Sequence, residues 1–128
     1  MDPYISDTQP SIWHYGGDTS VTVTMPHFTP DITIADGQRS ETALIEDGRI
    51  GLYQFLGRRP PVADGGARLW ASWGRNGMQL AVRRHSNGSA EIAITGAVGD
   101  IVAHLPADAV DSLRDYLIRG PIDDEDDA

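Results

Sequence analysis

The sequence predicts a mainly β domain of the α+β class: an antiparallel β-meander or small barrel-like sheet with one C-terminal helix packed on its apolar face. Three observations predict it. Short stretches alternate apolar and polar residues, as in SVTVTM at 20–25 and DITIA at 31–35, which is the period of a strand with one buried face. Asx-Gly pairs recur at 36–37, 47–48, 76–77 and 87–88, and Gly66, Gly77, Gly88 and Gly99 stand eleven apart, the spacing of hairpins in a meander. One segment near the end, LPADAVDSLRDYLIRG at 105–120, carries helical periodicity with both ends marked.

The chain has 128 residues, 40% of them hydrophobic, with no cysteine and a net charge of −9. That is the length of one domain with one core. Lack of cysteine excludes disulfides, thiolate metal sites and a cysteine nucleophile. The sequence shows neither a basic-then-apolar leader nor a run of eighteen apolar residues, so a cytoplasmic protein with no membrane partner is expected. All ten basic residues are arginine, read as the codon bias of a GC-rich genome. Charge is uneven: residues 1–48 hold eight acids and one arginine, 49–90 hold seven arginines against Asp64, and 91–128 hold ten acids and two arginines. A basic centre between acidic flanks points toward a charged partner such as nucleic acid, unless folding interleaves the segments and cancels the field.

Taken in order, residues 1–19 read as an N-terminal arm docking through scattered aromatics, residues 20–120 as a single β-rich domain, and 121–128 as a disordered acidic tail. Val21, Val23 and Met25 alternate with Thr22 and Thr24, and DITIA repeats the pattern, giving two strands with a threonine-rich face. RIGLYQFL at 49–56 fits either a strand or a short helix, and Asp47-Gly48 favours a hairpin. GRRPPVADGG at 57–66 is a longer loop, in which Arg58 and Arg59 offer a contact for phosphate or an acidic partner. The helix spans 106–118: Pro106 suits its first turn, Asp108 its positive end, Arg119 its negative end, and Gly120-Pro121 stops it. Val110, Leu113 and Leu117 form its apolar stripe.

Strand register follows from asking which loop length puts apolar faces together. Met78, Leu80, Val82 and Ala90, Ile92, Ile94 are all even-numbered, so a three-residue loop Ser86-Asn87-Gly88 pairs Val82 with Ile92 and Leu80 with Ile94. A four-residue connection in TGAVGD pairs Ile94 with Ile101 and Ile92 with Ala103. For RLWASWGRNGMQL at 68–80, a two-residue Asn76-Gly77 loop buries Leu69, Ala71 and Trp73 and turns Trp70 outward, opposite Arg83. The competing loop, Arg75-Asn76-Gly77, buries Trp70 against Val82 and exposes Leu69, Ala71 and Trp73. The first is preferred because it avoids exposing Leu69 and Trp73 together; the second would argue for a protein interface.

With the preferred register, the outer face carries a row of Trp70, Arg83, Glu91 and His104 beside Ser72, Ala81, Ala93 and Val102. Cross-strand ion pairs and cation–π contacts are sufficient reason for such a row. As a binding face it offers Trp70 as a stacking platform with Arg68, Arg83, Arg84 and His85 near it, the mixture that holds single-stranded nucleic acid. Ala81 and Ala93 would equally let a second copy approach closely. No phosphate loop, dinucleotide fingerprint, nucleophile elbow or metalloprotease helix occurs, and His14, His27, His85 and His104 lack zinc-site spacing. No cofactor, metal or catalytic residue is therefore expected, and an enzyme built on His104 and Glu91 is the least favoured reading.

The segment IAITGAVGDIVAHLPADAVDSLRDYLIR, residues 92–119, resembles the end of the SsgA-like sporulation proteins of actinomycetes. It is also similar to the sheet-then-helix layout of whirly-type and transcriptional-coactivator single-strand binders. The resemblance covers less than a quarter of the chain. It implies architecture and dimerisation, together with an actinobacterial or phage source, and carries neither family's function. The reading that results is a non-enzymatic interaction or regulatory module, homodimeric and acting through a sheet face, with single-stranded nucleic-acid binding through Trp70 and the central arginines as the alternative.

Overall fold

Alternation over 20–24 and 31–35 produces strands because every second residue can reach a common core. In the computed structural model, which describes residues 3–5, 11–26, 29–45, 49–57, 67–96 and 99–119, these runs are β2 (Ser20–Thr24) and β3 (Asp31–Ala35). With β1 (Ile12–Tyr15) and β4 (Ser40–Leu44) they make a four-stranded antiparallel sheet in the order β1-β2-β3-β4. Val23 pairs with Trp13 on one side and Ile32 on the other, and Ile32 pairs with Ala43; all four are fully buried. The opposite face is the expected threonine-rich one: Thr33 and Thr42 hydroxyls meet at 2.7 Å, and His14 Nδ1 lies 2.9 Å from Thr22 Oγ1. At the β3–β4 turn, Gly37 has φ +92°, and Asp36 Oδ1 accepts the Gln38 and Arg39 amides at 2.9 and 3.0 Å.

A second antiparallel sheet follows the order β5-β6-β7-β8, from β5 (Ala67–Trp73), β6 (Gln79–His85), β7 (Ala90–Gly96) and β8 (Gly99–Leu105). Each sheet is a meander, so the fold is mainly β within the α+β class, and the single sheet of the sequence reading is divided into two. The inner faces of both sheets and two helices share one cluster of buried side chains. No helix among the described residues is long and apolar enough to cross a membrane.

Two expectations change. Residues 12–15, placed in an arm, form β1, because Trp13 is fully buried and its Nε1 donates to Ser112 Oγ at 2.9 Å. Residues 49–57 form helix α1 (Arg49–Gly57) in place of a hairpin strand. Leu52, Phe55 and Leu56 are buried at i, i+3 and i+4, one helical face, whereas Ile50, half of the apparent alternation, is 44% exposed. The Asp47-Gly48 turn, Gly66, the Arg58 and Arg59 loop, and the acidic tail at 121–128 lie outside the described residues.

Helix α2 (Ala107–Arg119) closes the core, burying Val110, Leu113 and Leu117 as its stripe requires, together with Ala109 and Tyr116. The Tyr116 hydroxyl donates to Ser11 O at 2.6 Å and lies 3.3 Å from Val23 O. Burial pushes this phenol up to about 12. A raised acid group stabilises the fold while both states are protonated. Stability is therefore expected to be flat with respect to Tyr116 up to about pH 10, the ordinary tyrosine value, and to fall as pH rises toward 12. Tyr116→Phe, followed by urea unfolding, should lose about 1–2 kcal/mol at neutral pH and flatten that alkaline limb.

Candidate functional site

The β5–β6 connection decides what the second sheet shows to solvent. Gly74 N donates to Met78 O at 2.7 Å and Gly77 N to Gly74 O at 3.0 Å, with Gly77 at φ +84°. This is a three-residue loop, Arg75-Asn76-Gly77, with glycine in the left-handed position. The β6–β7 turn repeats it: Gly88 N donates to His85 O at 3.0 Å, His85 N to Ser89 O at 3.0 Å, and Gly88 has φ +90°. The expected pairings of Val82 with Ile92, Leu80 with Ile94, and Ile94 with Ile101 are present.

The preferred two-residue loop at Asn76-Gly77 is thereby corrected. Trp70 pairs with Val82 and Leu69 with Arg83, so Trp70 turns inward and packs against the core beside α1, where its Nε1 lies 3.5 Å from a Cβ built on Gly51. Leu69 and Trp73 point outward, 64% and 67% exposed. Tertiary docking selects this register. The loop lies along the outer edge of β4: Arg75 N donates to Leu44 O at 2.9 Å, Asn76 Nδ2 donates to Thr42 O at 2.8 Å, and Asn76 Oδ1 lies 3.4 Å from Leu44 N. The side-chain amide of Asn76 thus supplies the donor and acceptor that a further strand would have given β4.

Three rows cross the outer face. The outermost are Leu69, Arg83, Glu91 and His104 at one end and Trp73, Gln79, Thr95 and Asp100 at the other, with Ala71, Ala81, Ala93 and Val102 between. Trp70 is replaced by Leu69 in the expected row, and Ser72 by Ala71. The centre is lined by small residues and ends on β8 in the partly exposed Val102, Leu69 and Trp73 flank it on β5, and β5 is the last strand of its sheet. Thr95 Oγ1 donates to Asp100 Oδ1 at 2.7 Å, while Glu91 Oε1 lies 3.2 Å from His85 Nε2 and 3.9 Å from His104 Nδ1.

The predicted binding residues therefore divide. Arg83, His85, Glu91 and His104 share the outer face. Arg68 and Arg84 are cross-strand partners on β5 and β6, in the register of the inward-facing Trp70 and Val82; Arg84 is only 5% exposed, whereas Arg68, near the start of β5, is exposed. Arg58 and Arg59 lie outside the described residues. Among the described residues the predicted arginines therefore do not surround a tryptophan: Trp73 has Gln79 opposite it, and of them Arg83 alone is in the outer rows, paired across strands with Glu91. What this arrangement offers is apolar contact bordered by hydrogen-bonding and ionic groups. Among the described residues no group of three metal-ligating side chains is placed to hold an ion. Compared with known proteins, the chain matches no family model and no curated sequence.

Sequence reasoning undervalued Leu69, Ala71, Trp73, Gln79, Thr95 and Asp100. The signal was available in the eleven-residue spacing of Gly77 and Gly88, which asks for the same loop at both turns.

Proposed function

We propose that the protein is a non-enzymatic interaction module working through the outer face of its second sheet, with a second copy of itself as partner. The observation that carries this reading is the joint exposure of Leu69 and Trp73 on β5, on either side of Ala71, where the row of small residues Ala71, Ala81 and Ala93 begins. Exposing a leucine and a tryptophan on one strand forgoes burial worth about 1.5–3 kcal/mol for a side chain of leucine size, and contiguous apolar surface of this kind marks interfaces.

The face is also self-complementary. A two-fold axis laid along Ala71, Ala81, Ala93 and Val102 exchanges the outer rows between copies, as an isologous dimer requires. Leu69 then faces the second copy's Trp73, Arg83 its Gln79, Glu91 its Thr95, and His104 its Asp100. Apolar meets apolar, polar meets polar, and an imidazole meets a carboxylate. The alanines permit the roughly 10 Å separation of stacked sheets. Dimerisation also agrees with what the resemblance of residues 92–119 implies.

Single-stranded nucleic acid is the weaker reading, because among the described residues Arg83 alone of the invoked arginines shares the face with Trp73, and it pairs across strands with Glu91. Sedimentation equilibrium tests the proposal: a dimer at tens of micromolar is expected, with affinity in the micromolar range. A monomer throughout that range would sink the self-association reading.

A further inference from the structure

Behind the outer face, on the inner side of β6, the chain buries a cation with donors to spare. Arg84 is 5% exposed, and its Nη1 donates to Leu56 O at 2.6 Å. That carbonyl is in the last turn of α1, where helical acceptors lack intrahelical partners. Arg84 Nε has no acceptor among the described residues, and no carboxylate there lies within ion-pair distance of it. On α2, Arg114 is partly exposed and its Nη2 pairs with the adjacent Asp115 at 3.2 Å, but its Nε is buried and has no acceptor among the described residues. The two side chains flank one place, since a Cβ built on Gly57, the residue after Leu56, would lie 3.5 Å from Arg114 Cδ.

Buried guanidinium groups are ordinarily matched by anions, and a buried donor left without an acceptor signals a missing partner. With Nη1 committed to Leu56, Arg84 retains the Nε–H and Nη2–H edge, the fork that takes a carboxylate or phosphate in two parallel hydrogen bonds. Arg114 contributes a second Nε–H from across the α1 end. Burial pushes the Arg84 guanidinium below its ordinary value; Asp111, one turn before Arg114 on α2, opposes this through space, and the like charge of Arg114 adds a smaller push downward. An anion between the two arginines would relieve that repulsion as well as fill both orphaned donors.

We propose that Arg84 and Arg114 form a seat for an oxyanion, a phosphate or carboxylate group, where β6, the C-terminal end of α1 and α2 meet. The seat is on the other side of the sheet from the dimer face, so it stands independently of the function proposed above.

The test follows the arginine Nε–H resonances of the full chain while sodium phosphate or sodium acetate is added against sodium chloride at constant ionic strength. The Arg84 and Arg114 signals are expected to move together and saturate. Saturation with phosphate alone assigns a phosphoryl ligand, with acetate alone a carboxylate, and with both an oxyanion of either origin. Arg114→Gln, at the exposed rim, should weaken binding at least tenfold. Signals that move no further with either oxyanion than with chloride would overturn the proposal, as would an Arg114→Gln variant that binds unchanged; the wild-type titration stands whether or not a variant folds.

Discussion

Trp73→Ser is expected to weaken self-association about thirtyfold or more, the effect of losing a tryptophan contact worth about 2 kcal/mol at an interface. The same variant should leave urea unfolding of the monomer almost unchanged, because Trp73 is 67% exposed and covers none of the core. Trp70→Ser should behave in the opposite way. Trp70 packs on the core between Val82 and α1, so its loss creates a void costing about 3 kcal/mol or more of folding stability. Sedimentation and urea titration on the two variants separate the roles of two tryptophans three residues apart. If Trp73→Ser unfolds the protein while Trp70→Ser dissociates it, the two-residue loop is the right one.

The second large effect belongs to Gly74, buried where the β5–β6 loop crosses β4. A Cβ there would lie 2.7 Å from Asn76 Oδ1, 3.0 Å from Leu44 N and 3.1 Å from Leu44 O. Two of those atoms are strand backbone and the third is the amide that caps the β4 edge, so none can yield without breaking the contact between the sheets. Gly74→Ala is expected to cost about 3 kcal/mol, the upper end for an overpacked site, measured as a lower urea midpoint at unchanged slope. Gly51→Ala is the control. Its Cβ would meet the Trp70 ring at 3.5 Å, an ordinary contact within α1, so the helix gains propensity and stability should hold or rise by up to about 1 kcal/mol. Equal losses at both glycines would contradict the docking of the loop on β4.

Much of this architecture was legible because local rules and tertiary packing agree. Asp36-Gly37 closes the β3–β4 hairpin, Ser86-Asn87-Gly88 sets the β6–β7 register, and Pro106, Asp108 and Arg119 bound α2 within a residue. Where they disagree, the reading failed. Hydrophobic economy favoured burying Leu69 and Trp73 together, yet the chain docks its loop on β4 through Asn76 and leaves both exposed. No rule of local patterning contains the partner edge, 32 and 34 residues from Asn76 at Leu44 and Thr42. Residues 49–57 misled for a different cause: with Ile50, Leu52 and Tyr53 apolar, a nine-residue stretch fits either period, and α1 is settled by Leu52, Phe55 and Leu56 packing on the core. The candidate site inherits these limits. Arg83, Glu91 and His104 align across β6, β7 and β8 as the sequence implies, whereas the outward tryptophan is Trp73 and not Trp70. A row read as chemical, with charges about a stacking platform, is instead the polar border of an apolar face.

The most direct measurement is the indole Nε1–H spectrum of the three tryptophans across a concentration series. The Trp73 signal is expected to shift as the protein associates, while that of Trp13, held by Ser112 in the core, stays fixed and that of Trp70 moves little. A Trp73 signal independent of concentration, in a sample that sedimentation shows to be dimeric, would place the interface away from the outer face of the second sheet.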